Sequence, residues 1–244
     1  MGSFWRIELL GGLRMIRPEQ TITRFQTYKN GALLAYLAYY HNQPVSREQL
    51  IHLFWQNSEM EAARNSLRVA LNSLRKQLEP LEISPGTVLV ANRMHIGLNP
   101  LAIETDVDDF LRAVTKAQNT STPSESIEAY LKAIELYQGE LLPGWYEDWI
   151  VAERSRLTEF YVAALQALVQ HFTKIQRFSQ AIDYSLRIIK ADPLRESAYR
   201  NLMRLYVATN RPSHAIQTYH QLEEELRASL NIRPSQGTRE LVKR

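Results

Sequence analysis

Residues 62–78 hold several arginines and asparagines and no acidic residue. Steps of four, four and three residues place most of these side chains on one stripe of a helix, formed by Arg64, Arg68, Asn72 and Arg75 with Asn65 and Lys76 on its flanks. Arginine and lysine pair with guanine or phosphate, and asparagine pairs with adenine. A helix of this kind therefore has the chemistry to read base edges in the major groove of DNA.

The same segment carries an apolar stripe, because leucines recur at 67, 71, 74 and 78. A helix with one leucine face and one cationic face buries the first and exposes the second. A solvated cationic face with no partner is the simpler interpretation, and an arginine in it could instead pair with Glu61 or Glu79. The surrounding elements favour DNA contact for the stripe.

A second helix precedes this one after a short turn. Ser46-Arg47-Glu48-Gln49 has the form of a capping box, in which the serine oxygen accepts from a backbone amide and the glutamine side chain reaches back. The helix runs to about Trp55, and Ser58–Glu61 predicts a second capping box. This spacing is typical of a helix-turn-helix. Free amides at a helix start bind phosphate, so Ser46 and Arg47 are predicted DNA contacts, although Ser46 could act only as a cap.

A hairpin follows the recognition-type helix. Residues 87–90 and 94–98 read as strands joined at Asn92-Arg93, and residues 83–100 contain no acidic side chain. Arg93 could enter the minor groove, touch phosphate or remain a solvated turn residue. With the short strands predicted at 5–10, 14–17 and 21–25, these elements predict an α+β winged helix-turn-helix.

Beyond Pro100 the pattern becomes helical, with helices predicted from Asp106 and from Pro123. A period of 34 residues then relates five pairs of positions, namely Ala164/Ala198, Leu168/Leu202, Phe172/Tyr206, Ala181/Ala215 and Ile182/Ile216. This period predicts an all-α tetratricopeptide-like helical repeat domain. We therefore expect two domains, at residues 1–100 and 101–244.

The charge is divided in the same way. Residues 1–100 hold 11 basic and 7 acidic side chains, whereas residues 101–244 hold 18 and 19. A basic front and a nearly neutral remainder suit a polyanion binder joined to a protein-facing part. The chain has no cysteine, which suits the cytoplasm, and no apolar run long enough for a membrane span is present.

In their order and in their amino-acid sequence, these segments resemble the Streptomyces antibiotic regulatory protein family of activators. The most specific match is Ala63-Arg64-Asn65-x-Leu67-Arg68-x-Ala70-Leu71-x-x-Leu74-Arg75. The second half resembles that family's bacterial transcriptional activator domain through Asp106-Val107, Tyr137-x-Gly139 and Leu141-Leu142-Pro143. The hairpin departs from the family pattern, since Asn92-Arg93-Met94-His95 stands where a Gly-Tyr-Arg-like end is usual.

The resemblance implies an OmpR-type winged helix that binds double-stranded DNA at promoter direct repeats and recruits RNA polymerase. We hypothesise that the protein is a monomer in solution and that two copies bind in tandem on DNA, forming a homodimer there. Larger members of the family carry a nucleotide-binding switch domain, so the chain could be the DNA-binding fragment of a signal-responsive switch ATPase.

A protein-interaction adaptor is the alternative from another class, because winged helices and helical repeats both serve as protein interfaces. Trp145, Tyr146 and Trp149 could line a partner groove, although aromatic residues at such spacing more often form core. The cationic stripe favours DNA over the adaptor. The sequence shows no nucleophile–base pair, no metal-ligand set and no phosphate-binding loop, so we predict no catalytic residue, no metal and no cofactor.

Overall fold

The computed structural model describes residues 5–242. In that range the chain forms the strands β1 Trp5–Glu8, β2 Arg14–Arg17, β3 Gln20–Ile22, β4 Val45–Ser46, β5 Leu89–Ala91, β6 His95–Leu98 and β7 Ile103–Thr105. Its helices are α1 Tyr28–Tyr39, α2 Arg47–Trp55, α3 Met60–Leu78, α4 Asp106–Asn119, α5 Pro123–Leu136, α6 Asp148–Lys174, α7 Phe178–Ala191, α8 Glu196–Ala208, α9 Pro212–Leu230 and α10 Gln236–Val242. The predicted α+β winged helix-turn-helix followed by an all-α repeat domain is confirmed.

The first compact unit begins with a four-stranded sheet of order β3-β2-β1-β7. β1 pairs antiparallel with β2 and parallel with β7, where Trp5 faces Ile103. Trp5, Ile7, Leu9 and Met15 are fully buried, because alternate side chains of these strands face the core. The third strand is shorter than the predicted 21–25 and ends at Ile22.

Helices α1, α2 and α3 pack together in this unit, and a three-stranded sheet of order β4-β6-β5 forms the wing. The side chain of Thr27 caps α1 by accepting from the amide of Asn30. α1 is buried over most of its length, from Asn30 to Ala38, and so forms the centre of the helical layer. Its position fixes where α2 and α3 lie.

The compact units divide differently from the expected boundary at residue 100. The first unit takes in the chain up to Asp109 and also residues Tyr137–Ile150. Two observations explain this: β7 completes the first sheet, and Leu10 forms an isolated antiparallel bridge with Leu141. Both pairings join positions far apart in sequence, which periodicity does not reveal.

The second unit comprises Phe110–Leu136 and the chain from Val151 onward. α7 packs on α8 and α8 packs on α9 in the manner of successive repeat helices. Ala164, Leu168, Ala181, Ala198 and Leu202 are at most 2% exposed, so most of the 34-residue pattern marks buried packing positions. Ile216 departs from the pattern, since it is 50% exposed. No helix in residues 5–242 is long and apolar enough to cross a membrane.

Candidate nucleic-acid interface

Helix α3 has the two faces that its sequence predicts. Its buried residues are Ala63, Leu67, Ala70, Leu71, Leu74 and Leu78. The opposite face exposes Arg64, Asn65, Arg68, Asn72 and Lys76. The leucine face fixes the orientation of the helix in the core, so the polar face must point to solvent. At 19 residues the helix is about 28 Å long, enough to lie across a major groove.

Hydrogen bonds from other elements hold α3 in place. The indole Nε1 of buried Trp5 donates to the carbonyl of Leu78 at 2.8 Å, which satisfies one of the free carbonyls at the helix end. In the middle of the helix, Asn30 Nδ2 donates to Ser73 Oγ at 2.9 Å, and Ser73 Oγ donates to Gln26 Oε1 at 2.6 Å. α3 is therefore fastened both to β1 and to the start of α1.

Two of the predicted contact residues are already paired with each other. Arg68 Nη2 donates to Asn65 Oδ1 at 2.8 Å across one helical turn. Both side chains are exposed, so the bond orders them at small cost without withdrawing them from solvent. Asn65 and Arg68 consequently present their polar groups side by side on the exposed face of α3.

The structure places Arg75 differently from the rest of the stripe. Its Nη2 donates to the carbonyl of Leu89 at 3.4 Å, and its Nε lies 3.4 Å from Glu79 Oε2. Arg75 thus points toward the wing strand β5 instead of outward. The physical reason is the buried Glu79 carboxylate one turn later, which attracts the guanidinium and offers it a partner away from solvent.

The tip of the wing is a turn built around Asn92. Its Oδ1 accepts from the amides of Met94 and His95 at 2.8 and 2.7 Å, and its own amide donates to the carbonyl of His95 at 2.9 Å. This arrangement leaves Arg93 exposed at the end of the hairpin. The short polar side chain of Asn92 takes over the bonds that a longer ladder would make.

Helix α2 meets the wing at its first residues. The Arg47 amide donates to the carbonyl of Met94 at 3.0 Å, and Arg47 Nε donates to the carbonyl of Asn92 at 2.8 Å. Arg47 therefore ties the start of α2 to the hairpin tip and is only half-exposed. Its predicted contact with DNA phosphate stays a prediction.

The first predicted capping box forms only in part. Ser46 Oγ accepts from the amide of Gln49 at 3.1 Å, as expected, whereas the Gln49 side chain donates to the Tyr36 hydroxyl instead of reaching back. The second box was wrong, since Glu59 occupies the N-cap of α3 and makes no side-chain cap bond. The half-exposed Ser46 acts as a cap in this structure, and a phosphate contact at its position stays a prediction.

A cleft of about 770 Å³ brings many of the predicted residues together. It opens between the start of α2, the first half of α3 and the wing tip, and its lining includes Ser46, Arg47, Arg64, Arg68 and Arg93. Four arginines and a single acid, Glu48, line it, so the local charge is strongly positive. Asn72 and Lys76 lie further along the exposed face of α3, outside this cleft.

Two exposed apolar residues on the same surface were not predicted. Val69 is 56% exposed and lies on the outward face of α3, because at about 100° per residue it falls beside Asn65 and Asn72. Met94 is 68% exposed and lines the cleft at the wing tip. The signal for Val69 was present in the sequence, since an apolar residue on the polar stripe of a helix has no core to enter.

The aromatic residues considered for a partner groove mostly pack within the first unit. Trp145 stacks on Tyr28 with ring centroids 4.5 Å apart, and Trp149 meets Tyr36 edge-on at 5.2 Å. Tyr146, in contrast, is 78% exposed. Among the described residues, no group of three histidines or acids is placed to hold a metal ion.

Two family models match the chain. The bacterial transcriptional activator domain matches residues 105–244, and the family described as "transcriptional regulatory protein, C terminal" matches residues 25–93. The second range covers α1, α2, α3 and the tip of the wing. The first range covers more than half of the chain.

Curated relatives and one solved structure agree with these matches. The transcriptional regulatory protein MoaR1 of Mycobacterium tuberculosis is 27% identical over 88% of this chain and 71% of its own length. The regulatory protein AfsR of Streptomyces coelicolor is 25% identical, over 98% of this chain but only 24% of its own length. The structure of Mycobacterium tuberculosis EmbR, solved in complex with a low-affinity phosphopeptide, matches with a TM-score of 0.76 at 25% identity, over 99% of this chain and 65% of that one.

The adjacent winged helix and helical activator domain are the architecture of the Streptomyces antibiotic regulatory proteins. The relatives that share it are transcriptional regulators. The chain thus belongs to the bacterial transcriptional activator domain family and is a DNA-binding transcriptional regulator of the Streptomyces antibiotic regulatory protein type.

Proposed function

We propose that the protein activates transcription by seating α3 in the major groove of promoter DNA while the wing tip contacts the neighbouring backbone or minor groove. The observation that carries this proposal is the exposed face of α3, with Arg64, Asn65, Arg68, Asn72 and Lys76 beside the arginine-lined cleft. This face combines side chains that read guanine and adenine with charges that neutralise phosphate.

The parts of the interface divide by role. Asn65 and Asn72 lie opposite the buried leucines and so point most directly at base edges. Arg64 and Arg68 lie toward the cleft and the wing, where a duplex backbone would run. Arg93 at the tip then contacts phosphate or the minor groove. Arg75 is assigned to the structure of the unit and not to DNA.

A selection of random duplex DNA by the whole chain tests the proposal. We expect enrichment of a short motif, with binding lost or much weakened in the Arg64→Ala/Arg68→Ala double variant. A matched control is Lys174→Ala/Lys190→Ala, which removes the same charge from exposed positions of the second unit. A titration against salt then counts phosphates, because each neutralised phosphate contributes about 0.9 to the slope of log K against log salt.

The expected slope is shallower by about 2 in the arginine double variant if both side chains contact phosphate. An unchanged affinity in that variant would contradict the interface and favour the adaptor. The lysine control should keep both the enriched motif and the slope. Equal losses in the two variants would show that overall charge, and not this surface, determines binding.

We further propose that two copies bind in tandem on direct repeats and that the bound protein recruits RNA polymerase. Half-sites on one face of the duplex lie about 10–11 base pairs apart, so changing that spacing by half a turn should abolish pairing on DNA. Light scattering without DNA should give a monomer, and a stable dimer would contradict the tandem model. Run-off transcription with purified bacterial RNA polymerase should rise with the protein on a repeat-bearing promoter and stay basal with the Arg64→Ala/Arg68→Ala variant.

A further inference from the structure

A buried carboxylate joins the end of the recognition helix to the start of the wing. We propose that Glu79 is a positioning residue, which sets the wing against α3 so that both reach the same duplex in register. This inference rests on the proposed function, because it assumes that α3 and the wing tip both contact DNA. Glu79 itself touches no DNA, since its side chain is fully buried.

The contacts of Glu79 are numerous and specific. Oε1 accepts from the amides of Val88 and Leu89 at 2.8 and 2.9 Å, and Oε2 accepts from the amide of Gly86 at 2.9 Å. The residue is the C-cap of α3, and its own amide still bonds back to the carbonyl of Arg75. One side chain therefore fixes three backbone groups at the entry of the wing to the last turn of the helix.

Arg75 completes the junction from the helix side. Its guanidinium lies 3.4 Å from Glu79 Oε2 and donates to the carbonyl of Leu89 at 3.4 Å. A carboxylate removed from water needs both hydrogen-bond donors and an opposite charge, and this site supplies three amides and one guanidinium. The two oxygens of the glutamate side chain accept from all three amides at once.

A glutamine in place of Glu79 could not make the same three bonds. An amide has one oxygen in place of two, so its NH₂ group would face either the amide of Gly86 or those of Val88 and Leu89. Donor would then meet donor in a buried place, and the strand would have to move away. Aspartate is one methylene shorter and could not span the same gap from the helix end.

The Glu79 contacts at the base of the wing help to determine where the tip of the wing lies. β5 begins at Leu89, whose amide and carbonyl are both held, and it extends three residues to Ala91 before the tip at Asn92. At about 3.4 Å per residue, the tip lies roughly 10 Å from the anchor. The second wing strand is tied to the same place, because Asn99 bonds the backbone of Val88 and Thr87. Arg47 and β4 hold the other side of the wing, so loss of the Glu79 anchor lets β5 shift against them and tilts the tip that carries Arg93.

A double-mutant cycle on DNA affinity tests the inference, using the motif that the selection yields. In the wild-type chain, we expect Arg93→Ala to weaken binding on the order of tenfold, as for one charge-assisted contact. In the Glu79→Gln background, the same change should alter affinity by less than about twofold, because the wing is no longer held in register. Arg64→Ala should cost the same factor in both backgrounds, since the helix keeps its own orientation.

The outcomes separate the two proposals. Loss of the Arg93 effect with retention of the Arg64 effect supports a positioning role for Glu79. If Arg93→Ala costs the same factor with and without Glu79, the positioning role is overturned and the interface stands. If neither arginine matters in the wild-type chain, the proposed interface fails, and the inference fails with it.

A matched control separates a specific role of Glu79 in positioning the wing from a general loss of stability. Asp106 is another buried carboxylate of the first unit, which accepts from the amides of Leu9 and Leu10 at 2.9 Å, away from the wing. Asp106→Asn should leave the Arg93 effect intact, and loss of that effect there would overturn a specific role for Glu79. Should Glu79→Gln fail to fold, Glu79→Asp carries the cycle, since it keeps the charge but is one methylene too short to reach the three amides. Arg93→Ala should then cost a smaller factor than in the wild type, and an unchanged factor would overturn the inference.

Discussion

Arg68 and Arg75 have the same side chain on the same helix, and the structure gives them opposite roles. Arg68 is exposed and, within residues 5–242, bonds to Asn65 alone, whereas Arg75 bridges Glu79 and the carbonyl of Leu89. We therefore expect Arg68→Ala to weaken DNA binding and Arg75→Ala to destabilise the fold. The two variants remove equal charge, so each serves as the control for the other.

The magnitudes follow from these surroundings. A surface bond across one helical turn contributes at most about 0.5 kcal/mol, so Arg68→Ala should hardly change the free energy of unfolding. As a phosphate contact, Arg68 should contribute about 1.5–3 kcal/mol to DNA affinity on every sequence, and the salt slope should be shallower by about 1 in the variant. Arg75→Ala removes the hydrogen bond from the guanidinium to the Leu89 carbonyl and the ion pair with Glu79, and a lost hydrogen bond from a charged group costs about 1.5–3 kcal/mol of stability.

Urea unfolding followed by tryptophan fluorescence measures the stability term. The four tryptophans of the chain are at 5, 55, 145 and 149, all within the first unit, so the signal reports that unit alone. Filter binding or fluorescence anisotropy on the selected site measures the affinity term. An unchanged urea midpoint for Arg75→Ala, or a large shift for Arg68→Ala, would refute the assignment of the two arginines.

Three further changes test other parts of the molecule. Val69→Ala should lower DNA affinity by about 0.8–1.5 kcal/mol if Val69 packs on a thymine methyl group. Replacing that thymine by deoxyuridine should then cause no further loss of affinity in the variant. A further loss in the variant would contradict the contact. Burial raises the pKa of Asp106 to about 6 and outweighs the hydrogen bonds from the amides of Leu9 and Leu10, which lower it. The protonated carboxyl therefore stabilises the fold fully below about pH 4. This stabilisation of about 3 kcal/mol is lost as the pH rises toward 6. The difference in unfolding free energy between wild type and Asp106→Asn should fall by this amount between about pH 4 and pH 7, and a flat difference would contradict it. Ala198→Leu should destabilise the second unit by about 1–3 kcal/mol in thermal melts followed by circular dichroism, because Ala198 is 2% exposed where α8 packs; an unchanged melt would show that the 34-residue pattern does not mark close contacts.

Local patterns predicted the elements that carry the function. The leucine spacing of residues 67–78 fixed which face of α3 is buried, because 3.6 residues per turn leave the arginine and asparagine stripe no place in the core. Ser46 capped α2 as expected, since an N-cap involves residues only three apart. The 34-residue period marked packing positions such as Leu168 and Leu202 for the same reason: each signal repeats within one or two helices.

Only the tertiary structure decided which residues of the cationic stripe are exposed and which one contacts the wing. Arg75 is indistinguishable from Arg68 in the helix pattern, and it was turned inward by a carboxylate and a carbonyl whose positions depend on how β5 returns to α3.

The limits of the first unit were decided in the same way. They depend on the parallel pairing of β1 with β7 and on the bridge from Leu10 to Leu141, which join residues about 100 or more apart. A sequence specifies periodicity and caps through neighbouring residues, whereas contacts between distant segments exist only once the chain has packed.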